Sequence, residues 1–400
     1  MLIMNILQIL YWLFAFALLH SYVFYPILLH LFSFNKKNNS IIFEAENELP
    51  NVSVIMSAFN EKHVIREKIE SLLTPQYPSE KYQIFVGSDC SDDGTSDIIS
   101  EFSEQFPYVH FFPFTERRGK PPVINDLVRR ACEMSGGGKS HILILTDASV
   151  ILNKNTISEL VKHFKNPEIA LVDSNLLPVG KKNDGISTSE TTYLRGEVTM
   201  KHQEGLIWQQ TLGPLGGCFA VRSDFFEPIP PRFLVDDFFV AMRIFEKGGK
   251  AISELNALCF ENVSHEIKEE YRRKRRISSG NFQNLRTFGH LIFRFDSLSF
   301  IFVSHKVLRW LGPFFIIATL FLSGILGFQL NFFYQILFFL ELGFIFFIPF
   351  IDLILSNFKI NVPILRGVRY FVWMNFALLE GFFKYVSGIK SNVWQPPKRN

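Results

Sequence analysis

Cysteine is scarce. The 400-residue chain has four, Cys90, Cys132, Cys218 and Cys259, and no two stand at a CxxC-type spacing, which argues against a structural zinc site. Four scattered thiols fit a reducing compartment. No GxGxxG follows the first apolar strand and no Walker A sequence occurs, so a dinucleotide-binding Rossmann enzyme is disfavoured. Internal repeats are absent. His63, His110 and His163 show no metal-ligand spacing. The net charge is only +3, and no nucleic-acid partner is expected from it. Charge is missing most conspicuously at the two ends: residues 1–34 hold no Lys, Arg, Asp or Glu, and from Leu311 to Ile351 the only charged residue is Glu341.

Those uncharged runs decide the class. The mean hydropathy is +0.16, high for a soluble chain of this length, and a helix needs about 20 mostly apolar residues to cross a bilayer. Spans are expected near 5–32, 311–329, 332–355 and 366–388. The first lacks a basic n-region and a small-residue cleavage site and runs too long for a secretory signal. The expected organisation is a transmembrane helix at 1–34, an Asn/Lys/Glu-rich linker at 35–48, a soluble domain at 49–300, and interfacial and transmembrane helices at 301–400. The segment after the first span is rich in Lys and Arg, so the soluble domain should be cytoplasmic and the N-terminus outside, in a plasma membrane of bacterial type. Four spans would leave Lys390, Lys398 and Arg399 outside, against that rule, unless one C-terminal segment is interfacial or re-entrant. Glu380 and Lys384, four apart, could pair on one helical face.

Inside the soluble region, short apolar runs at 51–57, 82–88, 109–114 and 141–146 read as strands, and helical spacing separates them at 61–73, 94–106 and 120–134. This alternation predicts an α/β fold with a largely parallel sheet covered on both faces. Ligands of such sheets bind beyond the carboxyl ends of the strands. Asn60-Glu61, Asp89 and Asp147 all fall there. Further on, Asp236 and Asp237 stand side by side, and the basic run Arg272-Arg-Lys-Arg-Arg276 follows. A carboxylate ahead of fixed positive charge suits a reaction that makes a nucleophile and releases a diphosphate.

Taken in order, Ser57-Ala-Phe-Asn-Glu61, Ser88-Asp-Cys-Ser-Asp-Asp-Gly-Thr95, Arg118-Gly-Lys-Pro-Pro-Val-Ile-Asn125, Thr146-Asp-Ala-Ser149, Gly216-Gly-Cys-Phe-Ala-Val-Arg222, Val235-Asp-Asp237 and Arg273-Lys-Arg-Arg-Ile277 resemble the family 2 glycosyltransferases. The likeness is to the membrane-bound branch with cellulose, hyaluronan and poly-N-acetylglucosamine synthases, and it covers residues 50 to about 285. It implies a Rossmann-like GT-A fold flanked by transmembrane helices, a nucleotide-diphosphate sugar donor of uridine type, and a lipid-linked or glycan acceptor in polysaccharide biosynthesis.

The resemblance also implies roles. Glu61 and Asp89 would accept hydrogen bonds from base and ribose, and Lys120 would offer charge to the nucleotide. Asp147 is the first acid of a DxD-like motif that holds Mg²⁺ or Mn²⁺ on the diphosphate. The third position is Ser149, a weaker ligand. Asp237 would be the general base, with Asp236 orienting base or acceptor. Gly216 and Gly217 would let the backbone approach the acceptor. Arg273 and Arg276 would meet the diphosphate. Asp92, Asp93 and Asp97 read as turn and helix-start residues. Ile277 stands where the polymer-making branch has an acceptor-stacking Trp, which favours addition of one or a few sugars over processive synthesis.

Overall fold

Asn51–Ala58 (β1) and Tyr82–Asp89 (β2) are rich in Val, Ile and Phe and are buried almost end to end, as strands covered on both faces must be. The computed structural model describes residues 2–45, 48–135, 141–179, 185–262, 267–329, 331–358 and 360–389, with backbone alone at 185–190 and 267–269. β1 and β2 pair in parallel with Val54 opposite Ile84. Val109–Phe114 (β3) extends the sheet beyond β2, and His141–Thr146 (β4), buried throughout, lies on the other side of β1. The crossovers are Lys62–Leu73 (α2), Thr95–Gln105 (α3) and Lys120–Ser135 (α4). Each of these seven elements lies within two residues of the segment predicted from periodicity.

The second half of the sheet was not anticipated. It is built from Val150–Leu152 (β5), Ile169–Val179 (β6), Cys218–Arg222 (β7) and Lys250–Asn262 (β8), in the spatial order β3-β2-β1-β4-β7-β6-β8-β5. β7 runs antiparallel to β4 and β6, and β5 antiparallel to β8, whereas β6 and β8 are parallel. The sheet as a whole is therefore mixed. Thr156–Val161 (α5), the part of Gly185–Trp208 (α6) from Gly196 onward, and Asp236–Glu246 (α7) belong to this half. One apolar cluster runs along the sheet from Val52 and Ile84 through Ile144 and Val172 to Ile252.

The chain divides into two compact units. The sheet unit comprises Phe32–Gly180 and Gly196–Ser264, and the helical unit comprises Met1–Leu31, Lys181–Arg195 and His265–Gly388. In the helical unit, Leu2–Ser33 (α1) and Phe332–Asn357 (α11) are long and apolar enough to cross a membrane. Ser297–Trp310 (α9) and Gly312–Phe328 (α10) qualify as a third span only if taken together, across a 64° bend. Pro363–Val386 (α12), the fourth span expected from the sequence, does not qualify, because Arg366, Arg369, Glu380 and Lys384 interrupt it.

Polar groups in these helices are tied to one another. Tyr11 and Ser323 donate to the Glu341 carboxylate at 3.0 and 2.8 Å, and Gln335 donates to the Gly327 carbonyl at 2.9 Å. Ile267–Phe288 (α8) packs on α12, where Ser279 donates to the Gly381 carbonyl at 3.0 Å. Glu380 accepts from Tyr271 at 2.8 Å and pairs with Arg275 at 3.3 Å. The i,i+4 pair with Lys384 suggested by the sequence does not form, because α8 supplies nearer partners.

Candidate active site

Just beyond β1 and β2 stand residues of left-handed conformation, Asn60 (φ 52°) and Cys90 (φ 61°). Asparagine tolerates this better than most residues. The two turns are tied together: Asn60 donates to the Asp92 carboxylate at 2.7 Å, and Asp93 accepts from the Lys62 and Thr95 amides at 3.1 and 2.9 Å. Asp92 and Asp93 thus hold turn and helix start, as their positions predict. Glu61 opens α2, buried, with its amide donating to the Thr95 hydroxyl at 2.9 Å. Buried Asp89 accepts from the amides of Arg118 at 2.7 Å and Gly119 at 2.8 Å. That turn needs φ +83° at Gly119, a conformation glycine adopts without cost. Asp89 thereby places Lys120 at the first residue of α4.

Lys120 is the centre of the constellation. Its ammonium lies 2.8 Å from Asp147 Oδ1 and 3.0 Å from Asp236 Oδ2. Burial works against its charge, but the two carboxylates prevail and raise it above the ordinary lysine value. Asp147 directly follows β4, and its amide donates to the Gly217 carbonyl at 3.1 Å. Behind this loop, fully buried Lys68 donates to the Thr146 hydroxyl at 2.8 Å and to the Val150 carbonyl. Burial pushes the Lys68 ammonium down to about 8.

Asp236 and Asp237 form the first turn of α7, where unpaired helix amides favour negative charge. Asp237 Oδ1 accepts from the Phe238 amide at 2.7 Å. Gly216 packs beneath its carboxylate: a Cβ there would come within 2.6 Å of Asp237 Oδ2, and the backbone has φ +83°. A Cβ on Gly217 would meet Leu176 and Val150 at 3.1–3.2 Å, so that glycine serves packing of the loop. Burial, and then the adjacent charge of Asp236, push the Asp237 carboxyl up to about 6, against the pull of Lys120 and Lys201.

Three residues of this neighbourhood escaped the reading of the sequence. Asp173 on β6 is 2% exposed, its Oδ1 has no hydrogen-bond partner among the described residues, and burial pushes its carboxyl up to about 7. Lys201 on α6 is buried, and its charge acts on both Asp173 and Asp237. Glu261 on β8 reaches the Ser149 hydroxyl at 3.3 Å, because β5 and β8 place Val150 opposite Glu261. No group of three metal-ligating side chains occurs among the described residues. The donor set is nevertheless hard: a part-exposed carboxylate at Asp147 and a second at Glu261, across Ser149. It suits a divalent cation that takes its remaining ligands from phosphate.

The sheet unit therefore brings Lys120, Asp147, Asp236, Asp237 and Gly216 together, with Glu61 and Asp89 at the neighbouring strand ends. Arg273 and Arg276 lie on α8 in the helical unit, where Arg273 and Lys274 pair with Glu270 at 3.7 and 3.3 Å.

Residues 53–229 match the family model described as Glycosyl transferase family 2. The chain contains a family 2 glycosyltransferase domain. It is 25% identical over 311 residues to the probable glycosyltransferase YdaM of Bacillus subtilis, a match covering 73% of this chain and 69% of that one. Over 184 residues it is 25% identical to the beta-monoglucosyldiacylglycerol synthase of Trichormus variabilis, covering 45% of this chain and 36% of that protein. Among solved structures, the fold resembles mannosyltransferase PcManGT from Pyrobaculum calidifontis, solved in complex with GDP-Man and Mn²⁺. The TM-score is 0.69 at 19% identity, over 95% of this chain and 99% of that one. The protein is a glycosyltransferase with a GT-A-type mixed sheet. The relatives belong to family 2 at large and do not single out the cellulose and hyaluronan synthase branch that the motifs resemble.

Proposed function

We propose that this glycosyltransferase inverts the anomeric centre of a nucleotide-diphosphate sugar, most simply a UDP-sugar, by direct attack of an acceptor hydroxyl. The observation that carries the reading is the placement of Asp237, with its raised carboxyl, beside a Lys120 that bridges Asp147 and Asp236. A general base works best with its pKa near the operating pH, and a carboxyl raised to about 6 stays ionised at neutral pH while accepting a proton more readily than an ordinary aspartate. Gly216 leaves Asp237 Oδ2 uncrowded on one side. Asp236 pairs with Lys120 and orients the pair. Glu61 and Asp89 shape the nucleotide end, Asp89 by fixing the 118–120 turn.

Asp147, with Glu261 across Ser149, would hold Mg²⁺ or Mn²⁺ together with the donor phosphates. When bound, the ion offsets charge on the departing diphosphate. Lys120 supplies fixed positive charge from the protein itself. Arg273 and Arg276 are the further cations proposed for the diphosphate.

The acceptor is proposed to be lipid-linked or a glycan at the cytoplasmic face of a plasma membrane of bacterial type, with α1 and α11 as spans. The apolar helices support membrane residence, and a lipid glycosyltransferase is among the similar proteins. Glu341 and Gln335 are engaged inside the helical unit, so they do not offer a polar path for a growing chain. Together with Ile277, this supports addition of one or a few sugars.

The test is Asp237→Asn. Transfer should fall by about 10²–10⁴-fold while nucleotide affinity, read by calorimetry, stays within a few-fold. In the wild type, kcat/KM should fall as pH drops through about 6. A variant retaining more than half of wild-type turnover would remove Asp237 from the role of base.

A further inference from the structure

At the start of α12 the usual distribution of polarity is turned around, whereas Glu380 and Lys384 near its end are exposed. Ile364, Phe376, Phe383 and Val386 are exposed, at 79, 48, 58 and 64%, while Arg366 and Arg369 are buried at 7 and 8%. Apolar residues outside and ionised ones inside is the pattern of a helix in contact with lipid. Both arginines converge on one carboxylate. Arg366 Nε lies 3.2 and 3.0 Å from the two oxygens of Asp352, and Arg369 Nε lies 2.8 Å from Asp352 Oδ2. Asp352 is fully buried.

Two guanidiniums on one carboxylate leave a net charge of one positive. The hydrogen-bond count is likewise incomplete. Each guanidinium carries five N–H donors, and Asp352 is approached through Nε alone. The Nη groups of both arginines have no hydrogen-bond acceptor among the described residues, and they are not sealed from the surroundings. What is missing is an acceptor with several oxygens and negative charge.

The position says where such an acceptor would come from. Asp352 stands five residues before the end of α11 at Asn357, or about 7.5 Å along the helix axis. Arg366 is in the first turn of α12. With α11 as a span, the cluster would lie within about 7.5 Å of the end of that span, close to the lipid headgroups. Trp373, 40% exposed on α12, is the residue type found at that level. Arginine is suited to phosphate through paired N–H donors.

We propose that Arg366 and Arg369, held by Asp352, form a binding site for the phosphate of an anionic membrane lipid. The proposal rests on α11 being a membrane span and is independent of the sugar-transfer chemistry.

The test uses the full-length protein in mild detergent, stripped of lipid and then offered dioleoyl phosphatidylglycerol or dioleoyl phosphatidylcholine. Retained lipid is counted by native mass spectrometry. The wild type should retain phosphatidylglycerol over phosphatidylcholine. Arg369→Gln leaves the Arg366–Asp352 pair intact and removes the surplus charge, so it should lower that preference roughly five-fold, the weight of one cation near an anionic surface. Asp352→Asn adds to the surplus and should keep or raise it. Equal retention of the two lipids by the wild type would overturn the proposal. So would an Arg369→Gln variant, shown folded by its thermal transition, with undiminished preference. Should that variant not fold, loss of preference in Asp352→Asn would overturn it instead. Displacement of phosphatidylglycerol by millimolar inorganic phosphate would reassign the site to a soluble anion and refute the lipid assignment.

Discussion

Asp173→Asn should make the sheet unit more stable at alkaline pH and leave it unchanged under acid. Asp173 is buried on a central strand with one carboxyl oxygen lacking a partner. Burial raises its pKa from 3.8 to about 7, although Lys201 pulls the other way. The folded protein therefore keeps a proton between about pH 4 and 7 that the unfolded chain has released, and by linkage stability falls as pH rises through that window. The shift is about three units, each worth about 1.4 kcal/mol, so ionised Asp173 costs on the order of 2–4 kcal/mol above pH 7. Asparagine resembles the protonated acid in shape and charge and carries no such cost. Thermal unfolding of the full chain in detergent, wild type against variant from pH 4.5 to 8.5, reads the difference directly. The two melting curves should converge toward pH 4 and separate with rising pH, the variant melting higher. A separation independent of pH, or a variant less stable than wild type at pH 8, would refute the reasoning and make ionised Asp173 a stabilising partner of Lys201.

Gly216→Ala should lower turnover by at least ten-fold, because its Cβ meets Asp237 Oδ2 at 2.6 Å and the backbone sits at φ +83°. It should also cost on the order of 1–2 kcal/mol of stability from the backbone conformation alone, and normal turnover would show that the carboxylate moves aside freely. Activity should depend on Mg²⁺ or Mn²⁺ and be lost in excess EDTA, with Ser149→Asp tightening metal binding measured by titration; full activity in EDTA would remove the ion from the reading. Cys90, exposed in the sheet unit, should be protected in intact cells from an impermeant maleimide and become labelled after permeabilisation. Labelling before permeabilisation would place the sheet unit outside.

The first four strands were legible because each is a short apolar run with its ligand-bearing residue just beyond it. Asp89 and Asp147 follow β2 and β4 by position alone, and periodicity suffices to find them. The second half obeys a different logic. β6 passes through Asp173 and Pro178, β8 carries Glu254 and Glu261, and their partners are set by antiparallel pairing between segments far apart in sequence. No local pattern announces that β5 and β8 will place Glu261 beside Ser149, or that α6 will carry Lys201 to the neighbourhood of Asp173. The helical end was legible in composition and less so in detail. Hydropathy finds α1 and α11, but it cannot show that Arg366 and Arg369 of α12 turn inward onto Asp352, that α8 supplies the partners of Glu380, or that a bend divides α9 from α10.

Lys120 has a consequence for the order in which ligands are accepted. By bridging Asp147 and Asp236 it offsets part of their charge from within, so a cation arriving alone would have to compete with the ammonium for Asp147. A diphosphate arriving alone meets an ammonium already engaged. On the proposed function, Asp147 would help hold the ion and Lys120 would be left to meet the phosphates, so the two ligands together would disturb the site less than either alone. Two ligands that each relieve the other's penalty are coupled, and the coupling is reciprocal. On that reading the sugar nucleotide would raise the affinity for the ion by the same factor by which the ion would raise the affinity for the sugar nucleotide. One lysine would thus let the site discriminate a metal–diphosphate complex from either component.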